Sequence, residues 1–152
     1  MRSASCLPVP ILVLSLWALF APVHAFDLVS VQEAQASMAA SDPLSAKVSP
    51  VPGAPQIEVL YPKLDAPIAS PTPIQLMFVP AASSMVRPET FKVLYGRLRI
   101  DITQRLVNAA KVTAEGINVQ EASLPKGTHR LLMSVEDLQG RQGTKSLDFE
   151  IK

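Results

Sequence analysis

His129 is the residue of this sequence best suited to chemistry, because it is the only histidine after residue 25. A neutral imidazole can hold a metal ion or accept a proton. In the alternating run around it, His129 shares its parity with Leu131 and Met133, so the three side chains lie on one strand face. The position also suits a structural role, in which a ring at a strand start bonds to a backbone carbonyl. We favour the structural role, with a ligand role as the alternative.

A second candidate lies between residues 97 and 103, where every second residue is polar. The alternation predicts a strand with Arg97, Arg99, Asp101 and Thr103 on its outer face. Two guanidinium groups on one face can recognise a carboxylate, a sulfate or an acidic partner. The alternative is a solvated face with weak ion pairs. With the preceding Leu94, residues Arg97, Arg99 and Asp101 are the candidate binding residues.

The segment from Asp137 to Arg141 has the composition of a tight turn. An aspartate can accept backbone N–H groups across a turn, and a glycine such as Gly140 can adopt positive φ. No cluster of Asp and Asn residues with calcium-loop spacing surrounds Asp137, so the pattern predicts a hairpin rather than a metal site.

Catalysis has little support in the sequence. There is no Gly-x-Ser-x-Gly motif. The carboxylates of Glu136 and Asp137 leave a strand on opposite faces, so they cannot act together on one substrate. We therefore expect no enzymatic activity, no cofactor and no metal site.

The elements that position these residues are predicted to be strands. From Gln56 onward, apolar residues alternate with others in six runs, as strands with one buried face require. A seventh strand is predicted around Gly116 to Val119, and a short helix or turn over 103–110, with Thr103 as its N-cap. The pattern predicts an all-β fold, an antiparallel β-sandwich of about seven strands. The six runs are centred on 57–61, 74–78, 91–95, 98–102, 131–135 and 147–151.

The first 25 residues have the features of a secretory signal peptide: Arg2, an apolar stretch, and Val23-His24-Ala25 before the expected cleavage point. Residues 26–53 form an Ala- and Pro-rich leader, expected to be flexible, with at most a short helix. The domain is expected to span 54–152. Cleavage removes Arg2 and the one cysteine, Cys6, which leaves 13 basic and 13 acidic side chains. This balance gives no electrostatic basis for nucleic-acid binding, and no membrane span is expected after cleavage.

The last third resembles the final two strands of bacterial periplasmic immunoglobulin-like domains, and residues 57–78 are similar to the first two. The resemblance implies an immunoglobulin-like sandwich and a periplasmic or extracellular location. The architecture is also distantly similar to copper-resistance domains of the CopC type, but their copper ligands are missing here. The matching residues are Leu124, Pro125, Gly127, His129, Asp137, Gly140 and Phe149.

Together these features predict a non-catalytic binding or adaptor module that recognises a protein, peptide or envelope component. Recognition would use a sheet face or an exposed edge strand. The alternative is a periplasmic carrier of a small ligand or copper that uses His129. Five apolar residues fall on predicted outer faces and form either a partner surface or a surface covered by residues 26–40. They are Leu60, Met77, Val79, Leu94 and Leu132.

Overall fold

In the computed structural model, the described residues are 26–41, 51–81 and 84–152, with the backbone alone described for Phe26. They form two antiparallel sheets, a β-sandwich-like arrangement, with two short helices. The predicted signal peptide and residues 42–50 lie outside the described residues. The strands are β1 (Phe26–Asp27), β2 (Gln56–Tyr61), β3 (Thr72–Val79), β4 (Val86–Tyr95), β5 (Ile100–Asp101), β6 (Gly116–Ser123), β7 (Gly127–Asp137) and β8 (Gln142–Ile151); the helices are α1 (Val31–Ala39) and α2 (Thr103–Ala109).

The strand order is β1-β6-β3-β2 in the first sheet and β5-β4-β7-β8 in the second. Each contact between neighbouring strands is antiparallel except that of β1, which pairs parallel to the end of β6. From β2 onward there are seven strands, as predicted, and the mainly β composition is confirmed.

The alternating apolar residues meet between the two sheets and form one core. Phe78 of the first sheet and Phe91 of the second lie 5.4 Å apart, centroid to centroid, and join the two layers. In β7 the burial alternates strictly from His129 to Asp137, because successive side chains leave a strand on opposite faces.

The prediction for residues 98–102 was wrong. The chain turns at Gly96–Arg99, and β5 is only two residues long, Ile100–Asp101. Leu98 is 52% exposed, so its alternation with Ile100 does not reflect burial. Arg99 has φ 51°, a left-handed conformation that a regular strand does not contain.

The predicted helix after β5 is present as α2, with Leu106 buried. Thr103 is its first residue rather than its N-cap, which is Ile102. The Thr103 hydroxyl instead accepts a 2.9 Å hydrogen bond from the Val93 N–H, which ties α2 to β4.

Part of the chain before the predicted domain boundary packs on the sandwich. Residues 26–41, here called the N-terminal segment, contain β1 and α1. The helix begins with a capping box, in which Ser30 and Glu33 each accept a backbone N–H of the other. Leu28, Val29 and Ala34 belong to the same core cluster as the strands. The sequence leaves open whether the N-terminal segment docks onto the domain. In the structure, residues 26–41 do dock onto it.

Candidate functional site

His129 lies at the start of β7, where Gly127 (φ 127°) follows the Leu124-Pro125 corner. Its side chain is 1% exposed. The ring nitrogen Nε2 lies 2.7 Å from the carbonyl oxygen of Pro125, and Nδ1 lies 2.8 Å from the Tyr95 hydroxyl. This is the ring-to-carbonyl hydrogen bond that the structural interpretation predicts.

The tautomer of His129 follows from these partners. A carbonyl oxygen can only accept, so Nε2 must donate to Pro125. Nδ1 is then unprotonated and accepts from the Tyr95 hydroxyl. The ring also stacks on Phe149, with centroids 5.5 Å apart. A copper ion could reach a ring nitrogen only by breaking one of these bonds.

Burial keeps both members of the corner uncharged near neutral pH. It lowers the pKa of His129 and outweighs the opposing effect of the Pro125 hydrogen bond. Burial, with a smaller contribution from Glu33, raises the pKa of Tyr95 to about 12. Within the described ranges, no group of three or more His, Cys, Asp or Glu side chains is placed to hold a metal ion.

Arg97, Arg99, Asp101 and Thr103 do not share one strand face, and this placement corrects the sequence-based prediction. Leu94 lies on β4 and is half-buried, opposite Asp101 of β5 and Leu132 of β7. The Asp101 carboxylate accepts a 2.9 Å bond from the Thr103 N–H. Hydrogen bonding by the Thr103 side chain, and then by its backbone N–H, lowers the pKa of Asp101. Arg97 and Arg99 stand in the preceding turn.

Arg97 binds the chain itself. Its guanidinium donates to the carbonyl oxygens of Met38 (3.2 Å) and Ala40 (2.9 Å), at the C-terminal end of α1. Its backbone N–H donates to the Ser37 hydroxyl at 2.9 Å. Carbonyl groups at a helix end lack intrahelical partners, and a cation suits the negative end of the helix dipole. Arg97 therefore anchors α1 to the sandwich.

Arg105 is the second anchor, and no local sequence pattern singles it out. Its guanidinium donates to both carboxylate oxygens of Glu33, at 2.7 and 2.6 Å. The Arg105 hydrogen bond, then that of the Ser30 backbone, lowers the pKa of Glu33 to about 2. The Ser-x-x-Glu spacing at Ser30 is a capping-box signal for the start of α1, but no local pattern predicts the partner 72 residues away.

At the turn that begins at Asp137, the carboxylate accepts backbone N–H groups, as the sequence predicts. One carboxylate oxygen accepts the N–H groups of Gln139 and Arg141, both at 2.9 Å, and the other accepts Nε of Arg141 at 2.7 Å. Burial alone would raise the pKa of Asp137, but the hydrogen bonds from Arg141 and Gln139 lower it. Gly140 has φ 75°. Asp137 and Gly140 therefore form a turn that fixes the register of β7 and β8.

A shallow groove of about 660 Å³ lies on the first sheet. Its apolar lining includes Leu60, Met77 and Met85, and Lys111 stands at its side. Met77 is 36% and Met85 65% exposed. Two of the predicted outer-face residues, Leu60 and Met77, thus meet in one concave surface.

The other apolar outer-face residues are divided between the two sheets. Val79 lies at the end of β3, and Leu94 and Leu132 are paired across β4 and β7. The helix α1 lies against Gly96, Arg97, Arg105 and Gly127. The N-terminal segment therefore docks at an end of the sandwich, and the groove keeps its exposed methionines.

No protein-family model matches the chain, and a search of curated proteins finds no match either. Among the described residues, no helix is long and apolar enough to cross a membrane.

Proposed function

We propose that the protein is a non-catalytic binding module with an immunoglobulin-like sandwich, which recognises a protein or envelope component in the periplasm or extracellular space. The location rests on residues 1–25, which have the composition of a signal peptide. The topology of antiparallel sheets and the corner at His129 support the immunoglobulin-like assignment.

The observation on which binding rests is the groove with Met77 and Met85. Methionine side chains are flexible and polarisable, so they adapt to apolar partners of different shape. Contiguous apolar surface beside polar groups is typical of an interaction site. Gln75, Lys111 and Asn118 supply hydrogen-bonding groups beside the methionines. The groove therefore suits a partner with an apolar segment and polar flanks.

The sheet face supports recognition better than the edge of β8 does. Ile68 donates to the Glu150 carbonyl at 2.8 Å and accepts from the Lys152 N–H at 2.9 Å, which covers one end of that edge. At the other end, a Cβ on Gly143 would lie 1.8 Å from the Pro55 carbonyl oxygen, so the chain there is already in close contact. An added strand would have to displace both contacts.

Crosslinking in cells followed by mass spectrometry tests the proposal with the full chain and two groove variants, Met77→Glu and Met85→Glu. Leu98→Glu is the matched control, because Leu98 is 52% exposed and does not line the groove. We expect the recovery of a partner that crosslinks to the wild type to fall at least tenfold in both groove variants and to be unchanged in the control. A partner captured equally by all four proteins would show that the groove is not the recognition surface.

A further inference from the structure

The N-terminal segment contacts the sandwich as a separate ligand would. Its first part adds a strand to an existing sheet: Phe26 and Asp27 pair with Ala122 and Ser123, and the Leu28 N–H donates to the Ser123 carbonyl at 3.0 Å. This is strand addition to the edge of β6, performed by the chain on itself.

The next part supplies apolar contacts. Leu28, Val29 and Ala34 are 1%, 3% and 3% exposed. Burial of side chains of this size is the main source of attraction in docking. Leu28 lines a small apolar cavity of about 20 Å³ together with Leu106 and Leu131. The segment therefore completes the core at this end of the sandwich.

Polar contacts then fix the orientation of α1. Arg105 pairs with Glu33 through two hydrogen bonds, and Arg97 binds the carbonyl oxygens of Met38 and Ala40. Gly96 leaves space for Ser37, since a Cβ there would lie 1.9 Å from the Ser37 hydroxyl oxygen. The acceptor surface is thus specific for one helix in one orientation.

The connection between the segment and β2 is long. Gly53 and Pro55 already contact the sandwich at Arg141 and Gly143, which leaves residues 42–50 to make the connection, and a chain of that length spans at most about 32 Å. A domain of about 100 residues has a radius of gyration near 13 Å. The connection is therefore long enough for the segment of one copy to reach the sandwich of a neighbouring copy.

We propose that the N-terminal segment is exchangeable, and that residues 26–41 of one copy dock onto the sandwich of a second copy to form a two-fold symmetric dimer. In such a dimer each sandwich receives the N-terminal segment of the other copy, so the contacts described above form twice and neither docking surface stays empty. Docking within one chain prevails while the effective concentration given by the connection, on the order of millimolar, exceeds the protein concentration. This surface is separate from the groove.

A charge exchange between two full-length variants tests this directly. In Glu33→Arg alone, and in Arg105→Glu alone, every docking within or between identical chains brings like charges together. In an equal mixture, each segment meets an opposite charge only on the other variant. We expect a heterodimer of twice the chain mass in native mass spectrometry, at least tenfold more abundant than any dimer of either variant alone.

Two controls isolate the contact. The double variant Glu33→Arg/Arg105→Glu restores opposite charges within one chain and should be monomeric at micromolar concentration. The second control uses the variant Arg99→Glu, which carries the same charge change in an exposed turn, in place of Arg105→Glu. A mixture of Arg99→Glu with Glu33→Arg should contain no excess heterodimer. A mixture of the two principal variants that stays monomeric while both remain folded overturns the proposal.

A measurement on the wild type covers the case in which a variant does not fold. Full-length protein refolded from urea at about 1 mM should contain a dimer fraction that grows with concentration. Because the exchanged dimer and the monomer contain the same Arg97 contacts, Arg97→Ala and Arg99→Ala should both leave that fraction unchanged. A wild type that remains monomeric at 1 mM also overturns the proposal.

Discussion

The corner at His129 and the turn at Gly96–Arg99 lie close together in the fold, but they differ in what holds them. The His129 ring is fixed by the Pro125 carbonyl four residues before it, and by the Tyr95 hydroxyl and the Phe149 ring on the two neighbouring strands, β4 and β8. The turn is fixed by α1, where the Ser37 hydroxyl accepts a hydrogen bond from the N–H of Arg97, 60 residues later in the chain. Local sequence patterns describe the first kind of region well and the second poorly.

The largest effect is expected at the corner. His129→Ala removes a buried ring and leaves the Tyr95 hydroxyl and the Pro125 carbonyl without that partner, which should lower the free energy of unfolding by about 3 kcal/mol or more. Tyr95→Phe, which removes only the hydroxyl, should cost about 1 to 2 kcal/mol. Urea denaturation monitored by circular dichroism measures both. A cost below about 1 kcal/mol for His129→Ala would contradict the structural role.

The two turns can be compared through glycines with similar backbone angles, Gly96 (φ 67°) and Gly140 (φ 75°). Alanine at either position would have to adopt a left-handed backbone conformation, which lowers the free energy of unfolding by about 1 kcal/mol. At Gly96 the new Cβ would also collide with Ser37, whereas nothing lies within 4 Å of a Cβ at Gly140. We expect Gly96→Ala to cost about 2 kcal/mol or more.

Gly96→Ala should also speed amide hydrogen exchange in α1, because relief of the collision requires α1 to move. Gly140→Ala should leave exchange in α1 unchanged. Equal effects of the two variants on unfolding and on exchange would show that Ser37 does not pack on Gly96 as described.

The smallest effect concerns the pH dependence of stability. Since burial lowers the pKa of His129 in the folded state, the unfolded chain binds more protons below its ordinary value near 6.5. The stabilisation is complete above that value and is lost as the pH falls through the folded-state pKa. The slope should reach at most about 1.4 kcal/mol per pH unit.

The carboxylates with lowered pKa, Glu33, Glu89, Asp101 and Asp137, affect stability mainly at more acidic pH. A His129→Gln variant should therefore show a flatter dependence between pH 5 and 6.5. Denaturation midpoints across this range provide the check, and a wild type with no slope there would mean that folding does not lower the pKa of His129.

Features that depend on residues close together in the sequence were predicted correctly, and features that depend on distant residues were not. Residues 124–151 combine a Pro-Gly corner, strict alternation and an Asp-Gly turn, and all three signals agree with the structure. Over 96–102, alternation alone favoured a strand, and the glycine at 96 was the only opposing signal. The exposed groove could not be found from sequence, because Leu60 and Met77 become neighbours of Met85 only when β2, β3 and the start of β4 are assembled.

The sequence by itself determined the period-two alternation, the turn at Asp137–Arg141 and the start of α1 at its capping box, because each depends on residues a few positions apart. The tertiary structure alone decided where the N-terminal segment docks, that Arg97 and Arg105 hold it, and which apolar residues stay exposed in the groove. Docking of the segment depends on contacts between residues 50 or more positions apart, and the groove depends on the packing of three strands, so no local pattern identifies either.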